Sequence, residues 1–201
     1  MTRSKVIVIT GSIATGKSAV TEIIRKHGFQ VIDADEIAHE VLKKEFIAEK
    51  IRENFGDEFL LKGKVNRPAL SDYVFNNKEK LEILNKIMHR EIFKEINAKI
   101  QESKDEVLFV DMPLYFELKD KMVEYSFKAD EIWLVYVKKA TQIKRLMNRD
   151  NITREIAVKK INSQISVETK KAMSDVIIEN DGFIAELEEK VEKLIKMYGQ
   201  H

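Results

Sequence analysis

Residues 6–18 hold the feature that most constrains this chain, a short apolar run followed by a loop between two glycines. Residues 6–9 are all valine or isoleucine, and residues 11–18 read GSIATGKS. Apolar residues recur at helical spacing after this loop, so the loop joins a strand to a helix. Such a Gly-x-x-x-x-Gly-Lys-Ser loop turns its N–H groups toward a phosphate at the positive end of the helix dipole. An ordinary glycine-containing turn is the alternative.

A phosphate-binding loop predicts a role for each of its residues. Lys17 is placed to reach the β- and γ-phosphates of ATP, and the Ser18 hydroxyl is placed to bind Mg²⁺. The residues predicted to bind ATP are Gly11, Ser12, Ile13, Ala14, Thr15, Gly16, Lys17 and Ser18.

The composition argues against several other kinds of site and partner. The chain has 201 residues and no cysteine, which excludes disulfides, cysteine-ligated zinc and a thiol nucleophile. Its four histidines, the last of them His201, have no metal-ligand spacing. A net charge of +1 gives no overall attraction to nucleic acid, and no apolar run approaches the ~20 residues of a membrane span. We therefore expect a cytoplasmic protein that binds neither nucleic acid nor membrane.

Two acidic residues follow the second predicted strand. Residues 29–32 form that strand, Asp33 and Asp35 come directly after it, and an amphipathic helix follows. A carboxylate at the end of a strand lies where α/β proteins bind their ligands. Alternatively, Asp33 is a helix N-cap and Asp35 a first-turn acid that interacts with the helix dipole. The local pattern by itself favours this structural role.

A long stretch without a predicted strand separates the second strand from the third. Residues 46–101 have helical patterns, ending in a long helix over residues 78–100 whose apolar residues, from Leu81 onward, are expected to face inward. This stretch is either a wholly helical subdomain above the sheet or the layer of helices that covers it.

The third predicted strand, residues 107–110, is wholly apolar and ends at Asp111. An acid at the end of a strand beside the phosphate-loop strand is where such proteins bind Mg²⁺, directly or through water. Asp111 and Ser18 are therefore the predicted metal ligands. Residues 131–137 and 176–178 are the fourth and fifth predicted strands, and an amphipathic helix over residues 183–197 follows.

A segment rich in basic residues, 138–160, lies between the last two strands. Arg145 and Arg149 are four residues apart and share one face of a predicted helix. As part of a lid over a triphosphate, they would contact the phosphoryl group in transfer. A solvated helix is the alternative, whereas a nucleic-acid surface would need aromatic residues that this segment lacks. Thr153 is predicted to cap a further helix that runs to about Lys171.

Seven segments of the chain together resemble one enzyme family. In order, they read TGSIATGKS, VIDADEIAHEV, GKVNRPALSDYVF, MHREI, VDMPLYFE, QIKRLMNRDNITREIA and SDVIIENDG. In this order and spacing they resemble the dephospho-CoA kinases along nearly the whole chain. The chain departs from the family pattern at Ser12 and Ala14, where a more glycine-rich loop is usual, and at Arg90, where the family usually has proline.

The resemblance implies that ATP phosphorylates the ribose 3′-hydroxyl of dephospho-CoA, the last step of coenzyme A synthesis, with Mg²⁺ as cofactor. It implies that Asp33 is the general base, in place of the structural role that the local pattern favours. It also implies that Arg67, His89, Asp33 and Asp111 bind the substrate, and that the segment near Asn180 approaches the adenine.

Together these observations predict an α/β P-loop NTPase fold with a five-stranded parallel sheet, helices on both faces and the phosphate-loop strand at the centre. A helical substrate-binding insert and a helical lid complete it. The nucleotide-binding core is expected over residues 1–45, 106–140 and 172–201, the CoA-binding subdomain over 46–105 and the lid over 141–171. The residues expected to be catalytic are Asp33, Lys17, Arg145 and Arg149.

Three other functions compete with this one. A P-loop kinase could instead phosphorylate a nucleoside monophosphate, shikimate or another small alcohol. A GTPase switch would carry Asp-x-x-Gly and Asn-Lys-x-Asp motifs, and neither string occurs in the sequence. A protein that binds ATP without turnover would have no need of Lys17, Ser18, Asp33 and Asp111 together.

Overall fold

The computed structural model describes residues 3–75 and 77–199, so His201 lies outside the described residues. The strands are β1 (Lys5–Gly11), β2 (Val31–Asp33), β3 (Leu60–Leu61), β4 (Lys64–Val65), β5 (Val107–Asp111), β6 (Glu131–Tyr136) and β7 (Val176–Glu179). The α-helices are α1 (Lys17–Lys26), α2 (Ala34–Leu42), α3 (Glu45–Phe55), α4 (Arg67–Phe75), α5 (Lys78–Glu102), α6 (Lys139–Asp150), α7 (Arg154–Asn162), α8 (Val167–Ala172) and α9 (Ile184–Ile195).

Five of these strands form the parallel sheet that the sequence predicts. Their order is β2-β5-β1-β6-β7, so β1, which leads into the phosphate loop, lies at the centre. Ile9 is in register with Asp111 of β5 on one side and with Trp133 of β6 on the other. The predicted fold class is confirmed, and the register brings the end of β5 beside the start of the loop.

Both faces of β1 are buried, as expected of a central parallel strand. Ile7 and Ile9 pack on one face in a cluster with residues of α1 and α9, while Val6 and Val8 are fully buried as well. Because alternate residues of a strand point to opposite faces, a continuous run of β-branched residues satisfies both layers at once. This packing fixes the point at which the loop begins.

The chain divides into two compact units. The core unit contains residues up to Ile32 together with those from Ile100 onward, and the helical unit is Asp33–Lys99. Among the described residues, no helix combines the length and apolar character that crossing a bilayer requires.

The prediction that residues 46–101 are wholly helical is wrong in one detail. Strands β3 and β4 form a separate antiparallel hairpin within the helical unit. Lys62 and Gly63 connect them with φ angles of 51° and 77°, as a two-residue type I′ turn requires. Strands of two residues are too short to show an alternation of apolar and polar residues, so the sequence of this hairpin is typical of a loop.

The prediction that the apolar residues of α5 face inward is also wrong for its first half. Phe93 and Ile96, in the second half, are buried, whereas Leu81 is 37% exposed. Leu81, Leu84 and Met88 line an open cavity of the helical unit instead of a packed core.

The helix predicted from Thr153 to about Lys171 is in fact two helices. Thr153 caps α7 as predicted, but α7 ends at Asn162 and α8 begins only at Val167. Ser163 Oγ donates to the carbonyl of Lys160, and Ser166 Oγ accepts from the N–H of Thr169. Serine hydroxyls that bond nearby backbone groups in this way favour helix ends, which explains the break.

Candidate active site

The phosphate loop follows β1 without interruption and ends where α1 begins. Gly16 has a φ of 86°, and a Cβ atom at this position would collide with the side-chain amide of Asn180. Only glycine, which has no Cβ atom and readily adopts a positive φ, fits at this position. Within the loop, Thr15 Oγ1 donates to the carbonyl of Ser12 over 2.9 Å. Both the glycine at position 16 and the hydrogen bond of Thr15 therefore define the backbone shape of the loop.

Asn180, which the sequence predicts to bind ATP, is bonded to the phosphate loop. Its Nδ2 donates to the carbonyl of Thr15 over 2.8 Å, and its own carbonyl accepts from Arg145 Nη2 at the same distance. Asn180 follows β7, and Arg145 lies on α6, so three elements meet at this end of the loop. The approach of this segment to an adenine ring stays a prediction.

Lys17 and Asp111, the two predicted charges of the site, form an ion pair. Their side chains are 14% and 4% exposed, respectively, so the pair is largely shielded from water. Lys17 is the first residue of α1 and Asp111 the last of β5, and the register of β1 with β5 brings the two elements together. Ser18, the other predicted metal ligand, is exposed on the first turn of α1.

The two predicted arginines of α6 have different surroundings. Arg145 reaches the loop through Asn180, whereas Arg149 pairs with Asp150 over 2.8 Å. Lys160 also donates to Asp150, and the hydrogen bonds from Arg149 and Lys160 lower the pKa of Asp150 to about 2. Arg145 is therefore the arginine that the structure brings to the phosphate loop.

Asp33 is the last residue of β2 and the N-cap of α2. Its Oδ1 accepts hydrogen bonds from the N–H groups of Asp35, at 2.9 Å, and Glu36, at 3.1 Å. The capping role that the local pattern favours is thus present. One carboxylate oxygen can cap a helix while the group still accepts a proton, so the cap does not exclude a catalytic role.

The helical unit contains an open cavity of about 440 Å³. Its polar lining includes Asp35, His39 and Arg67, and apolar residues of α2, α4 and α5 form the other walls. Arg67 Nη1 and His39 Nε2 are 2.5 Å apart, while His39 Nδ1 lies 2.8 Å from the carbonyl of Asp35. Of the predicted substrate-binding residues, Arg67 lines this cavity, whereas the half-buried His89 of α5 is not among its lining residues.

Sequence reasoning missed two glutamines that contact the phosphate loop. Gln142 Nε2 donates to the carbonyl of Ile13 over 2.7 Å, and Gln164 Oε1 accepts from the N–H of Ile13 over 2.9 Å. Gln142 lies three residues before Arg145 on the same helix face. A polar residue on the face that packs toward the loop is the signal that could have identified it.

Comparison with known proteins identifies the family. Residues 5–186 match the family model described as CoaE, dephospho-CoA kinase. The chain belongs to the dephospho-CoA kinase family. It is 39% identical to the dephospho-CoA kinase of Carboxydothermus hydrogenoformans over 198 residues, which cover 96% of this chain and 94% of that protein.

Solved structures agree with membership in the dephospho-CoA kinase family. The dephospho-CoA kinase from Campylobacter jejuni is 31% identical, with a TM-score of 0.66 over 96% of this chain and 97% of that one. TT1252 from Thermus thermophilus is 26% identical, with a TM-score of 0.81 over 98% of both chains. The P-loop kinase fold and the class of enzyme, a transferase that is a kinase, follow from this membership.

One departure from the glycine-rich loop of the family has a measurable consequence. Ala14 has a φ of 60°, a left-handed conformation that disfavours any residue with a Cβ. We expect Ala14→Gly to raise the free energy of unfolding by about 0.5 kcal/mol, because relief of strain exceeds the added entropy of the unfolded chain. In thermal unfolding this is an increase in Tm of about 1–2 °C.

Ala157→Gly is the matched control for this variant. Ala157 is fully buried in α7, where glycine costs about 1 kcal/mol relative to alanine. A fall in Tm for Ala14→Gly as large as that for Ala157→Gly would show that Ala14 is not strained.

Proposed function

We propose that this chain transfers the γ-phosphoryl group of ATP to the ribose 3′-hydroxyl of dephospho-CoA, giving coenzyme A and ADP. The observation that carries the proposal is the family match over residues 5–186, which includes the phosphate loop and both arginines of α6. The pairing of Lys17 with Asp111 beside that loop supports it, because both groups then lie where a triphosphate would bind.

In the proposed reaction, the 3′-oxygen forms a bond to the γ-phosphorus as the bond from that phosphorus to the β–γ bridging oxygen breaks. The 3′-hydroxyl proton passes to the carboxylate of Asp33, and ADP leaves with the bridging oxygen. A ribose hydroxyl is a poor nucleophile, so a carboxylate that orients it and accepts its proton late in transfer lowers the barrier. In the sheet, Asp33 ends the strand next to the one that ends at Asp111.

Three cationic side chains would balance the charge of the phosphates. We propose that Lys17 binds the β- and γ-phosphates and that Arg145 and Arg149 stabilise the negative charge of the phosphoryl group in transfer. The hydrogen bond of Arg145 to the Asn180 carbonyl supports this role for Arg145. To reach a phosphate, Arg149 would have to break its ion pair with Asp150. We therefore propose that Arg149 contributes less than Arg145 to stabilisation of the transition state.

The oxygen atoms of Ser18 and Asp111 fit a magnesium ion. Mg²⁺ prefers oxygen ligands, keeps several waters and binds proteins through one or two groups plus substrate phosphates. We propose that the Ser18 hydroxyl and the Asp111 carboxylate, directly or through water, are those groups. When bound, the ion neutralises charge that develops on the phosphate oxygens.

The helical unit would bind the acceptor substrate. We propose that its cavity receives the pantetheine arm of dephospho-CoA, because apolar walls suit the methyl groups of that arm and Arg67 offers donors to its oxygens. His89 would contact the substrate outside this cavity. In this assignment residues 46–105 are the CoA-binding subdomain and residues 141–171 the lid.

A substrate panel tests the proposed function. ADP release would be measured by a coupled assay with ATP and either dephospho-CoA, AMP, adenosine or shikimate as acceptor. Release that depends on dephospho-CoA and exceeds that with every other acceptor is expected. Faster release with another acceptor would assign the chain to a different kinase activity, and release with none would leave only ATP binding.

We expect removal of divalent metal to abolish turnover. An excess of EDTA should reduce phosphorylation of dephospho-CoA to background, and Mg²⁺ added beyond the chelator should restore it, because the triphosphate charge is not neutralised by the side chains alone. The measurement is the initial rate before and after each addition. Full activity in EDTA would contradict the proposed role of Ser18 and Asp111.

A further inference from the structure

Both backbone groups of Ile13 are bonded to side chains from outside the loop. The N–H donates to Gln164 Oε1 over 2.9 Å, and the carbonyl accepts from Gln142 Nε2 over 2.7 Å. Gln142 lies on α6, and Gln164 lies in the break between α7 and α8. Hydrogen bonds to both groups restrict rotation of the peptide units on either side of Ile13, so the two residues, which we call the glutamine pair, constrain the first half of the loop.

The side chains of the loop pack against the same helices. Ile13 and Ala14 contact a cluster of buried residues from α6 and α7. The members of that cluster are Ile143, Leu146, Ala157 and Ile161. The first half of the phosphate loop therefore packs with α6 and α7, and these helices cannot shift without moving it.

The burial of Gln142 is unfavourable for stability alone. Gln142 is 0% exposed, and its Oε1 is buried with no hydrogen-bond partner in the described part of the chain. A buried acceptor without a donor costs free energy that an apolar side chain of similar volume would avoid. Among the described residues, the partner of this side-chain amide is the Ile13 carbonyl, so the buried amide serves the phosphate loop.

The position of Gln164 is fixed independently by an ion pair. Glu117 Oε1 accepts from the N–H of Ile165 over 3.1 Å and also pairs with Lys170, which is 0% exposed, over 2.8 Å. Glu117 lies in the segment that leaves β5 after Asp111. The break that carries Gln164 is thus attached both to the phosphate loop and to the segment that follows Asp111.

We propose that Gln142 and Gln164 are positioning residues of phosphoryl transfer. By holding the two peptide units that flank Ile13, they keep the N–H groups of the loop aligned with α6, and therefore with Arg145. Neither side chain needs to touch ATP for this effect. The inference rests on the proposed function and adds two residues that act through the loop.

The activity test removes each amide at nearly constant volume. We expect Gln142→Met and Gln164→Met each to lower kcat about 10- to 100-fold, since small displacements of positioned groups cost rates of that order, with Tm within a few degrees of the parent. Asn162→Ala is the matched control, because Asn162 is an exposed amide near the end of α7 whose described partner is Lys139. It should leave kcat unchanged. If Gln142→Met does not fold, the kcat of Gln164→Met decides the test, because Gln164 is only half-buried.

The double variant tests whether the two residues act together. Because both bond the backbone of one residue, Ile13, Gln142→Met/Gln164→Met is expected to lose about as much kcat as the more damaging single change. Losses that multiply would mean two independent effects and would overturn the joint role, as would normal kcat in both single variants.

Amide hydrogen exchange of Ile13, followed by NMR, tests the same contact without substrate. Exchange should accelerate at least tenfold in Gln164→Met, and Gln164→Glu, which keeps an acceptor oxygen, should restore slow exchange. Unchanged exchange in Gln164→Met would overturn the proposal. Failure of the parent protein to phosphorylate dephospho-CoA would instead refute the proposed function and leave this result standing.

Discussion

Asp33→Asn is expected to lower kcat for phosphorylation of dephospho-CoA by about 10²–10⁴-fold, the usual loss on removal of a general base. Asparagine keeps the shape and the oxygen that accepts the N–H groups of Asp35 and Glu36. Because asparagine and aspartate cap helices about equally well, Tm should change little. Steady-state kinetics and thermal unfolding of the same preparation measure both effects.

Two further variants separate the base from the cap. Asp33→Ala removes both and should add a loss of about 1 kcal/mol in the free energy of unfolding. Glu36→Gln removes an exposed carboxylate from the same helix turn and should leave kcat near the parent value. Near-normal kcat in Asp33→Asn would mean that Asp33 is only a cap, and the assigned mechanism would have to be abandoned.

Lys17→Met is expected to lower kcat/KM for ATP by about 10²–10³-fold, the typical cost of removing one preorganised group that stabilises transition-state charge. The free energy of unfolding should fall as well, because Asp111, whose side chain is only 4% exposed, loses its ion pair with Lys17. Breaking a buried pair from one side costs on the order of 3 kcal/mol. Kinetics should therefore be measured well below the Tm of the variant.

Lys26→Met is the matched control, since it makes the same substitution on α1 at an exposed lysine whose partner, Glu22, is also exposed. Neither kcat/KM nor Tm should change much. Lys17→Met combined with Asp111→Asn also removes the carboxylate charge that Lys17 neutralises and should recover part of the lost Tm but none of the activity. Parent-like kinetics in Lys17→Met would exclude Lys17 from phosphate binding.

The sheet and the phosphate loop could be predicted because their signals are local. Unbroken apolar runs at residues 6–9 and 107–110 correspond to two adjacent buried strands, and the glycine spacing predicted the loop after the first. The position of Asp111 at the end of the strand beside the phosphate-loop strand was also predicted, whereas its ion pair with Lys17 was not. Each of these predictions depends on residues that are close together in the sequence and on the order of the strands in the sheet.

The helical unit could be predicted less well because its packing depends on tertiary structure. Helical periodicity marks an apolar face but does not say whether that face meets a core or a cavity, so Leu81 was assigned to a core. The hairpin of β3 and β4 was missed because each strand has only two residues.

The contact of Gln164 with the phosphate loop could not be predicted from the sequence for a different reason. The contact of Gln164 with Ile13 joins residues far apart in the chain and depends on the break between α7 and α8. At that break, the side chains of Ser163 and Ser166 form hydrogen bonds with nearby backbone groups. Serine side chains form such bonds only in some local conformations. A single sequence therefore offers no reason to separate Gln164 from surface residues.

The identity of the product tests the central claim most directly. The protein would be incubated with dephospho-CoA, Mg²⁺ and ATP labelled in its γ-phosphate, and the product would be compared with authentic coenzyme A by chromatography and ³¹P NMR. We expect one labelled phosphate on the ribose 3′-oxygen, in equal amount to ADP. Label found only in inorganic phosphate, or on any other position of the acceptor, would contradict the account.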